Sequence, residues 1–294
     1  MTSATYAFQL EGAPVLGRLV RLDPDVVDKI LARHDYPRPA ALLLAEALTL
    51  AGLCGALAKS ARSITLQAEG DGPVPLLVAE WRAGGGLRGY ARLSERAATA
   101  LAGRARMAPF ELIGRGVMAL TLDQGPDTQQ MQGIAPLEGT TLAECAEAYF
   151  LQSEQTPTRI RIAAVEDITP AATVWRAGGA LIQRVAGDAA RGFTDDDWAR
   201  AEILFATVED AELADPALPP DRLLYRLFHE DGVRMAAGEP LLDQCTCDAR
   251  RVTAVLSRFT VEELQDLTEP DGLIHAKCQF CARTYRLTPQ DVAS

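Results

Sequence analysis

Four of the six cysteines lie within the last fifty residues and could bind one metal ion. Cys245 and Cys247 form a C-x-C pair, and Cys278 and Cys281 form a C-x-x-C pair. Four thiolates complete the tetrahedral shell that Zn²⁺ prefers in closed structural sites. Zinc ribbons commonly place two to four residues between paired ligands, whereas only Thr246 separates the first pair. Its sulfurs are therefore close enough to bond to each other if the metal leaves, so the spacing indicates a zinc site that could also be a redox switch.

The remaining residues with metal or thiol chemistry have simpler interpretations. Spacing alone would favour a constitutive structural zinc site for the four cysteines, and the short C-x-C pair argues for a switch instead. His275 lies three residues before Cys278 and could be a ligand, but with four cysteines available we expect it on a strand surface. Cys54 and Cys145 lie on predicted helices with apolar faces, and we expect both to be small core residues.

No motif supports hydrolytic catalysis or nucleotide binding. Residues 84–89 satisfy G-x-G-x-x-G, but a strand-like run follows where a dinucleotide site needs a helix, so the segment predicts a hairpin turn. His229-Glu230 lacks the second histidine of a zinc protease helix. Ser153 is interpreted as a residue of a polar turn and not as a nucleophile. We therefore expect the protein not to be an enzyme.

Composition and charge narrow the function further. The chain has 294 residues, of which 48% are hydrophobic and 23% charged, as in a globular protein. A net charge of −11 argues against tight binding to nucleic acid or to an anionic membrane. We see no secretory signal, and the most apolar run, from Ala40 to Lys59, contains Glu46 and Thr49. We expect a cytoplasmic protein, where thiols stay reduced and a cysteine cluster means metal or redox chemistry.

Residues 1–186 are predicted to form a domain of mixed α and β structure. A helix should follow Pro37-Arg38-Pro39, and a capping box at Thr141 predicts a second helix through Tyr149. Alternating or apolar runs bounded by turn residues predict the strands. These strands are Ser63–Ala68, Val74–Trp81, Leu87–Leu93 and Thr158–Ala164.

Residues 187–240 are predicted to form a metastable helical linker. Between Thr194 and Asp215 there are eight acids and one base, Arg200. Thr194 caps a helix with one apolar face, made of Trp198, Ala201, Phe205 and Val208. Acids near the end of that helix should oppose its dipole, so it should depend on docking its apolar face. Prolines at 216, 219 and 220 precede a second helix.

Residues 241–294 are predicted to form a small module that contains the four cysteines. Asp248 and Thr260 should each cap a helix, and a hairpin should carry the C-x-x-C pair. We expect one apolar face on the first helix, made of Val252, Val255, Leu256 and Phe259. About fifty residues rarely bury enough apolar surface to fold alone, so the metal should supply much of the stability.

The chain resembles the 33-kilodalton heat-shock protein family of redox-regulated holdase chaperones. The two cysteine pairs, with about thirty residues between them, are similar to that family's signature. Upstream segments resemble the family in the same order, so the resemblance covers nearly the whole chain. These segments are HDYPRPAALLLAEAL, GLRGYARL, MQGIAPLEGTTLAECAEAYFLQSEQTPT, WRAGGALIQ and LLYRLFHED.

The resemblance implies an α+β fold with three parts: an N-terminal substrate-binding domain, a helical linker and a C-terminal zinc redox-switch domain. It implies one Zn²⁺ per chain, bound by Cys245, Cys247, Cys278 and Cys281 in the reduced, inactive state. Oxidation would release the zinc and form the disulfides Cys245–Cys247 and Cys278–Cys281. The linker would then unfold, and the activated protein, typically a homodimer, would hold unfolding client proteins without ATP.

The sequence also allows two other functions. A thiol-disulfide oxidoreductase would use C-x-x-C as a catalytic dithiol, although no thioredoxin-like βαβ context surrounds Cys278. A constitutive zinc-ribbon module could bind RNA or the ribosome, although the acidity of the chain disfavours it. Insulin reduction and salt-dependent RNA affinity, respectively, would distinguish these functions from a chaperone.

Overall fold

A computed structural model describes residues 2–58, 60–125, 128–168, 173–185 and 194–293. The chain divides into two compact units, residues 1–243 and residues 244–294. Two parts of the sequence predictions lie outside the described residues: Lys59, at the end of the apolar run, and residues 187–193, at the start of the linker. The predicted α+β class is confirmed, and the division into three domains stays a prediction.

The first unit contains two six-stranded sheets and eight helices among its described residues. Its strands are β1 (Ala4–Leu10), β2 (Val15–Leu22), β3 (Ser63–Gly70), β4 (Leu76–Arg82), β5 (Gly86–Arg92), β6 (Gly116–Asp123), β7 (Met131–Pro136), β8 (Thr158–Ile168), β9 (Thr173–Arg184), β10 (Val233–Met235), β11 (Glu239–Pro240) and β12 (Leu242–Asp243). Its helices are α1 (Val27–Leu31), α2 (Arg38–Leu57), α3 (Ala97–Leu101), α4 (Pro109–Ile113), α5 (Leu142–Ser153), α6 (Asp195–Ala206), α7 (Asp210–Ala214) and α8 (Pro220–Phe228).

The two sheets are almost entirely antiparallel. The first sheet has the order β10-β1-β2-β9-β8, and β11 also pairs with β1. The second has the order β12-β5-β4-β3-β6-β7, in which β12 is parallel to β5. The turn between β4 and β5 contains Gly84 and Gly85 at positive φ, a conformation that favours glycine. The G-x-G-x-x-G segment is therefore a hairpin turn, as predicted.

Helix α2 is the central element of the core and packs against strands of both sheets. It begins after Pro37, with proline in its first turn, as the sequence predicts. Its length and composition would allow it to cross a membrane, but 83% of its most apolar window is buried inside the fold. Burial on all sides explains why its sequence is apolar around the whole circumference.

The first sheet is buried on both faces. Successive residues of a strand point to opposite faces, so Val20 of β2 joins the core around α2 while Leu19 packs on the other side. In β9, Leu181 and Ile182 are divided in the same way. A sheet that is apolar on both faces needs a covering layer on each.

Helices α6, α7 and α8 provide the second covering layer. Trp198, Ala201 and Phe205 of α6 are buried with Leu19 and Ile182, as predicted for its apolar face. Val208, the fourth predicted member, is also buried but lies beyond the end of the helix. Several residues after α8 in the predicted linker are not helical, because β10 and β11 pair with β1. The described part of the linker is therefore folded onto the first sheet.

One prediction for the linker is wrong. The acids Glu209, Asp210 and Glu212 were expected to oppose the dipole at the end of one helix. Instead the helix ends at Ala206 and α7 begins at Asp210, so these acids lie at a helix N-terminus. The Glu212 carboxylate accepts a hydrogen bond from the backbone N–H of Glu209 at 3.0 Å. Negative charge is favourable at that end of a helix.

The second unit is small and has a minimal core. Its elements are α9 (Ala249–Leu256), α10 (Val261–Asp266), β13 (Ile274–Lys277), β14 (Thr284–Leu287) and α11 (Pro289–Ala293). Among the described residues, its core consists of Leu256, Leu264, Ile274, Leu287 and Val292. The predicted apolar face of α9 is only partly correct, because Val255 is 57% exposed and Phe259 is 42% exposed. The helix ends at Leu256, so Phe259 does not continue its buried face.

Candidate metal centre

The four C-terminal cysteines lie together in the second unit. All four sulfurs lie within 4.8 Å of one another. The Cys245 and Cys278 sulfurs are 3.8 Å apart, and those of Cys247 and Cys281 are 3.2 Å apart. A regular tetrahedron with Zn–S bonds of about 2.3 Å has edges of about 3.8 Å. These sulfurs could therefore bind one metal ion, and the donor set suits zinc.

A tight turn between β13 and β14 positions Cys278 and Cys281. The register pairs Lys277 with Thr284, so the two cysteines lie in the connection just beyond the ladder. The backbone N–H of Cys278 donates to the carbonyl oxygen of Arg283 at 2.9 Å, and that of Ala282 donates to the carbonyl oxygen of Cys278 at 2.8 Å. Ala282 adopts a φ of 57°, a left-handed conformation that closes the turn.

The segment before α9 positions Cys245 and Cys247. Asp248 caps α9, since its carboxylate accepts a hydrogen bond from the backbone N–H of Arg251 at 2.8 Å. The Arg251 guanidinium also donates to the hydroxyl of Thr246 at 2.9 Å. The helix cap thus fixes the chain direction on one side of the C-x-C pair, and the arginine holds its middle residue.

Tyr285 is the site residue that the sequence analysis missed. Its hydroxyl donates a hydrogen bond to the sulfur of Cys247 at 3.1 Å. The tyrosine lies on β14, and the signal that could have found it is its position in the strand that follows C-x-x-C. Hydrogen bonds to metal-bound groups orient and tune the ligands.

The electrostatic environment of the sulfurs is uneven. Burial raises the pKa of Cys247, but hydrogen bonds from Tyr285 and the neighbouring thiols outweigh it and lower this pKa to about 7. Burial and the neighbouring sulfurs raise the pKa of Cys281 to about 12. Without a metal ion the cluster therefore holds negative charge preferentially on Cys247, because adjacent thiolates repel one another.

Basic residues lie beside the cluster, as expected for four thiolates around a dication. The Arg283 side chain hydrogen-bonds to Tyr285, and this bond, together with the nearby Cys247 and Cys281, raises its pKa. Arg251 contacts Thr246 between the first two cysteines. Arg250 and Lys277 lie close to the cysteines in the sequence, and we expect them to offset thiolate charge as well.

The other candidate residues lie outside the cluster. His275 is on β13, where its ring lies 2.9 Å from the Asp271 carboxylate and 3.6 Å from that of Glu269. Cys54 and Cys145 are buried in the first unit, as predicted. Burial raises the pKa of Cys54 to about 12 and also raises that of Cys145, so both thiols should be poorly reactive.

Comparisons with known proteins agree over nearly the whole chain. Residues 3–288 match the family model described as "Hsp33 protein". The "33 kDa chaperonin" of Caulobacter vibrioides strain NA1000 is 49% identical over 284 residues, covering 96% of this chain and 94% of the relative. The "33 kDa chaperonin" of Serratia proteamaculans is 35% identical over 289 residues, covering 98% and 93%.

The fold has a known counterpart as well. The crystal structure of the 33 kDa chaperonin from Thermotoga maritima matches with a TM-score of 0.80 at 23% identity, covering 99% of this chain and 97% of that one. At this identity the match speaks for the fold alone. The full-length sequence relatives, all named chaperonins, support a chaperone function. On the family match and these relatives, the chain belongs to the Hsp33 family.

Proposed function

We propose that the protein is a redox-regulated, ATP-independent holdase chaperone. The observation that carries the proposal is the cluster of four sulfurs within 4.8 Å of one another in a unit with a minimal core. In the reduced state Cys245, Cys247, Cys278 and Cys281 would together bind one Zn²⁺ per chain. Thiolates are the ligands that a closed zinc site prefers, and the bound ion would supply folding energy to the unit.

Oxidation of these cysteines is the proposed trigger. The four side chains are only partly buried, so a small oxidant can reach them. For each disulfide, two thiols lose two electrons and two protons, and one hydrogen peroxide is reduced to two waters. The resemblance implies the pairs Cys245–Cys247 and Cys278–Cys281. Because the sulfurs of Cys247 and Cys281 lie 3.2 Å apart, peptide mapping must distinguish this pairing from a crossed one.

The linker is the proposed element that responds. Residues 241–243 connect it along the chain to residues 244–294, the cysteine unit. Its helices cover apolar side chains of β1, β2, β8 and β9. We infer that loss of zinc unfolds the cysteine unit and that the linker then undocks from the first sheet. Apolar surface exposed in this way binds unfolding proteins. The active form would be a homodimer in the cytoplasm, where thiols are normally reduced.

An oxidoreductase finds less support. Reactive C-x-x-C cysteines commonly owe their low pKa to a helix N-terminus. Here Cys278 and Cys281 lie in the turn of an antiparallel hairpin, and burial and neighbouring sulfurs raise the pKa of Cys281.

The test compares aggregation of a heat-denatured client in the presence of reduced, zinc-loaded protein and of peroxide-treated protein. Light scattering and zinc release are followed in the same sample. We expect suppression only after oxidation, with about one zinc released per chain. Equal suppression in both states would make the metal site purely structural, and no suppression in either would refute the chaperone activity.

A matched variant isolates the cluster from the other thiols. Cys145→Ser removes a buried cysteine of the first unit and should leave peroxide activation intact. Cys278→Ser with Cys281→Ser should abolish zinc binding and make activity independent of peroxide. If this double variant still required peroxide, another residue would be the switch.

A further inference from the structure

The sheet face beneath the linker is apolar in the middle. The side chains of the first sheet that pack against α6, α7 and α8 form what we call the linker-covered face. They are Phe8, Leu10, Val15, Leu19, Ala163, Ala180 and Ile182. All are buried in the folded protein. An aromatic-rich apolar helix face, that of Trp198 and Phe205, occupies this surface.

Arginines of the N-terminal residues lie along the edge of this face and pair with linker acids. Arg159 contacts the Glu202 carboxylate at 2.7 Å, and Arg184 contacts that of Asp195 at 2.5 Å. Arg106 lies 3.9 Å from Asp210.

A fourth arginine binds the backbone of the linker. Arg21 is 6% exposed, and its guanidinium donates to the carbonyl oxygens of Leu213 and Leu218. The first of these carbonyls belongs to α7 and the second lies just beyond it, so Arg21 places positive charge at the C-terminal end of that helix, where it is favourable.

Some of this positive charge is already balanced within the domain. Glu46 pairs with Arg106, and Glu147 lies 3.7 Å from Arg159. Burial raises the pKa of both glutamates. These four residues line one cavity together with Glu144 and Arg161. Without the linker, this side of the face therefore carries three arginines and three glutamates. Arg184 and Arg21 add to the positive side.

The negative charge of the chain lies mainly in residues 194–215, the segment that is proposed to undock. Residues 1–186 contain 19 acids and 18 bases, whereas residues 194–215 contain eight acids and one base. Undocking this segment exposes an almost neutral domain whose uncovered face has arginines at its edge. The net charge of −11 for the whole chain therefore does not describe the surface that a client meets.

We propose that the undocked linker-covered face selects client segments that resemble the linker: amphipathic helices with an aromatic apolar face and acidic flanks. Helices with the same apolar face and basic flanks bind more weakly. This inference rests on the proposed function and names the class of client segment. Pairing between exposed charges is weak, so together Arg106, Arg159 and Arg184 should produce a preference of about tenfold.

The experiment uses the full-length, peroxide-treated protein and two fluorescent peptides. One has the sequence of residues 194–215, and the other has its eight acids replaced by lysine. We expect the acidic peptide to bind about tenfold more tightly, with the difference shrinking as salt is added. The overall negative charge predicts the opposite order, so tighter binding of the basic peptide would overturn the proposal.

Variants test whether the named arginines are responsible. Arg159→Gln with Arg184→Gln should reduce the preference for the acidic peptide about threefold or more. Arg115→Gln, on an exposed arginine near the second sheet, is the control and should leave it unchanged. Equal affinities for both peptides would overturn the proposal while leaving the chaperone function standing. Failure of the oxidised protein to suppress client aggregation would instead refute the proposed function itself.

Discussion

The two units of this chain bury very different amounts of apolar surface. The first unit surrounds α2 with two sheets and buries several dozen apolar residues, whereas the second buries five among its described residues. Small domains bury too little surface to offset the conformational entropy of folding, so they depend on disulfides or metals. One chain thus combines a unit that folds by burial with a unit whose stability, on the proposed function, depends on metal binding by four sulfurs.

Removing the metal should produce the largest difference in stability between the two units. Structural zinc in small modules contributes about 10–16 kcal/mol, as much as five buried apolar side chains provide, and those side chains alone do not offset the conformational entropy of ordering about fifty residues. We expect a zinc chelator to abolish amide protection in residues 244–294 while α2 stays protected. Hydrogen exchange read out by mass spectrometry measures both in one sample. If amides in residues 244–294 stayed protected after complete metal removal, the stability of this unit would not depend on the metal.

The linker lies between these extremes, and Gly178 tests how firmly it docks. A Cβ at this position of β9 would lie 1.8 Å from the carbonyl oxygen of Leu213 in α7. Gly178→Ala should therefore weaken docking by about 1–3 kcal/mol, the usual cost of overpacking. We expect faster proteolysis within 194–215 and client binding by the reduced, zinc-loaded protein.

Gly52→Ala is the matched control for this substitution. Its Cβ would meet Val20 and Leu241 at 3.5 and 3.7 Å, which are ordinary contacts. We expect no loss of linker protection in this variant. If Gly178→Ala behaved in the same way, α7 would not be held closely against β9.

The sequence predicted those features that depend on residues close together in the chain, such as helix caps. Thr141, Thr194 and Thr260 were identified as helix caps, and each hydroxyl accepts a backbone N–H three residues later. The cysteine cluster was predicted because C-x-C and C-x-x-C spacings each allow two sulfurs to point at one metal ion.

Features that depend on tertiary packing were missed. The bond from Tyr285 to Cys247 joins residues 38 positions apart, and the pairing of Arg159 with Glu202 depends on where α6 docks. The break between α6 and α7 was missed because one continuous helix also explained the spacing of Phe205 and Val208. No periodicity encodes such contacts.

Tyr285→Phe should weaken metal binding without changing the fold of the cysteine unit. The substitution removes only the hydroxyl that donates to the Cys247 sulfur at 3.1 Å. Loss of a hydrogen bond to a metal ligand typically costs about 10–100-fold in metal affinity. Competition with a chromogenic chelator measures this change, and peroxide-driven zinc release should become faster as well.

Tyr225→Phe controls for the same chemical change at a distant position. Tyr225 lies on α8 and is 59% exposed, so its variant should bind zinc like the parent protein. Unchanged affinity in Tyr285→Phe would mean that the hydroxyl does not act on the sulfur once the metal is bound.

The smallest predicted effect is a gain in the stability of the second unit from a substitution at Ala282. Ala282 has a φ of 57°, a conformation that costs about 1–2 kcal/mol for a residue other than glycine. The extra chain entropy of glycine offsets about 0.5–1 kcal/mol of this, so Ala282→Gly should stabilise the zinc-loaded unit by about 0.5–1 kcal/mol. Ala254→Gly makes the same change inside α9 and should instead destabilise it by about 1 kcal/mol. Thermal unfolding of the zinc-loaded protein compares them, and shifts of the same sign would show that the turn at Ala282 stores no strain. Opposite signs would mean that the left-handed conformation of Ala282 is strained, so the backbone of the hairpin also limits the stability of this unit.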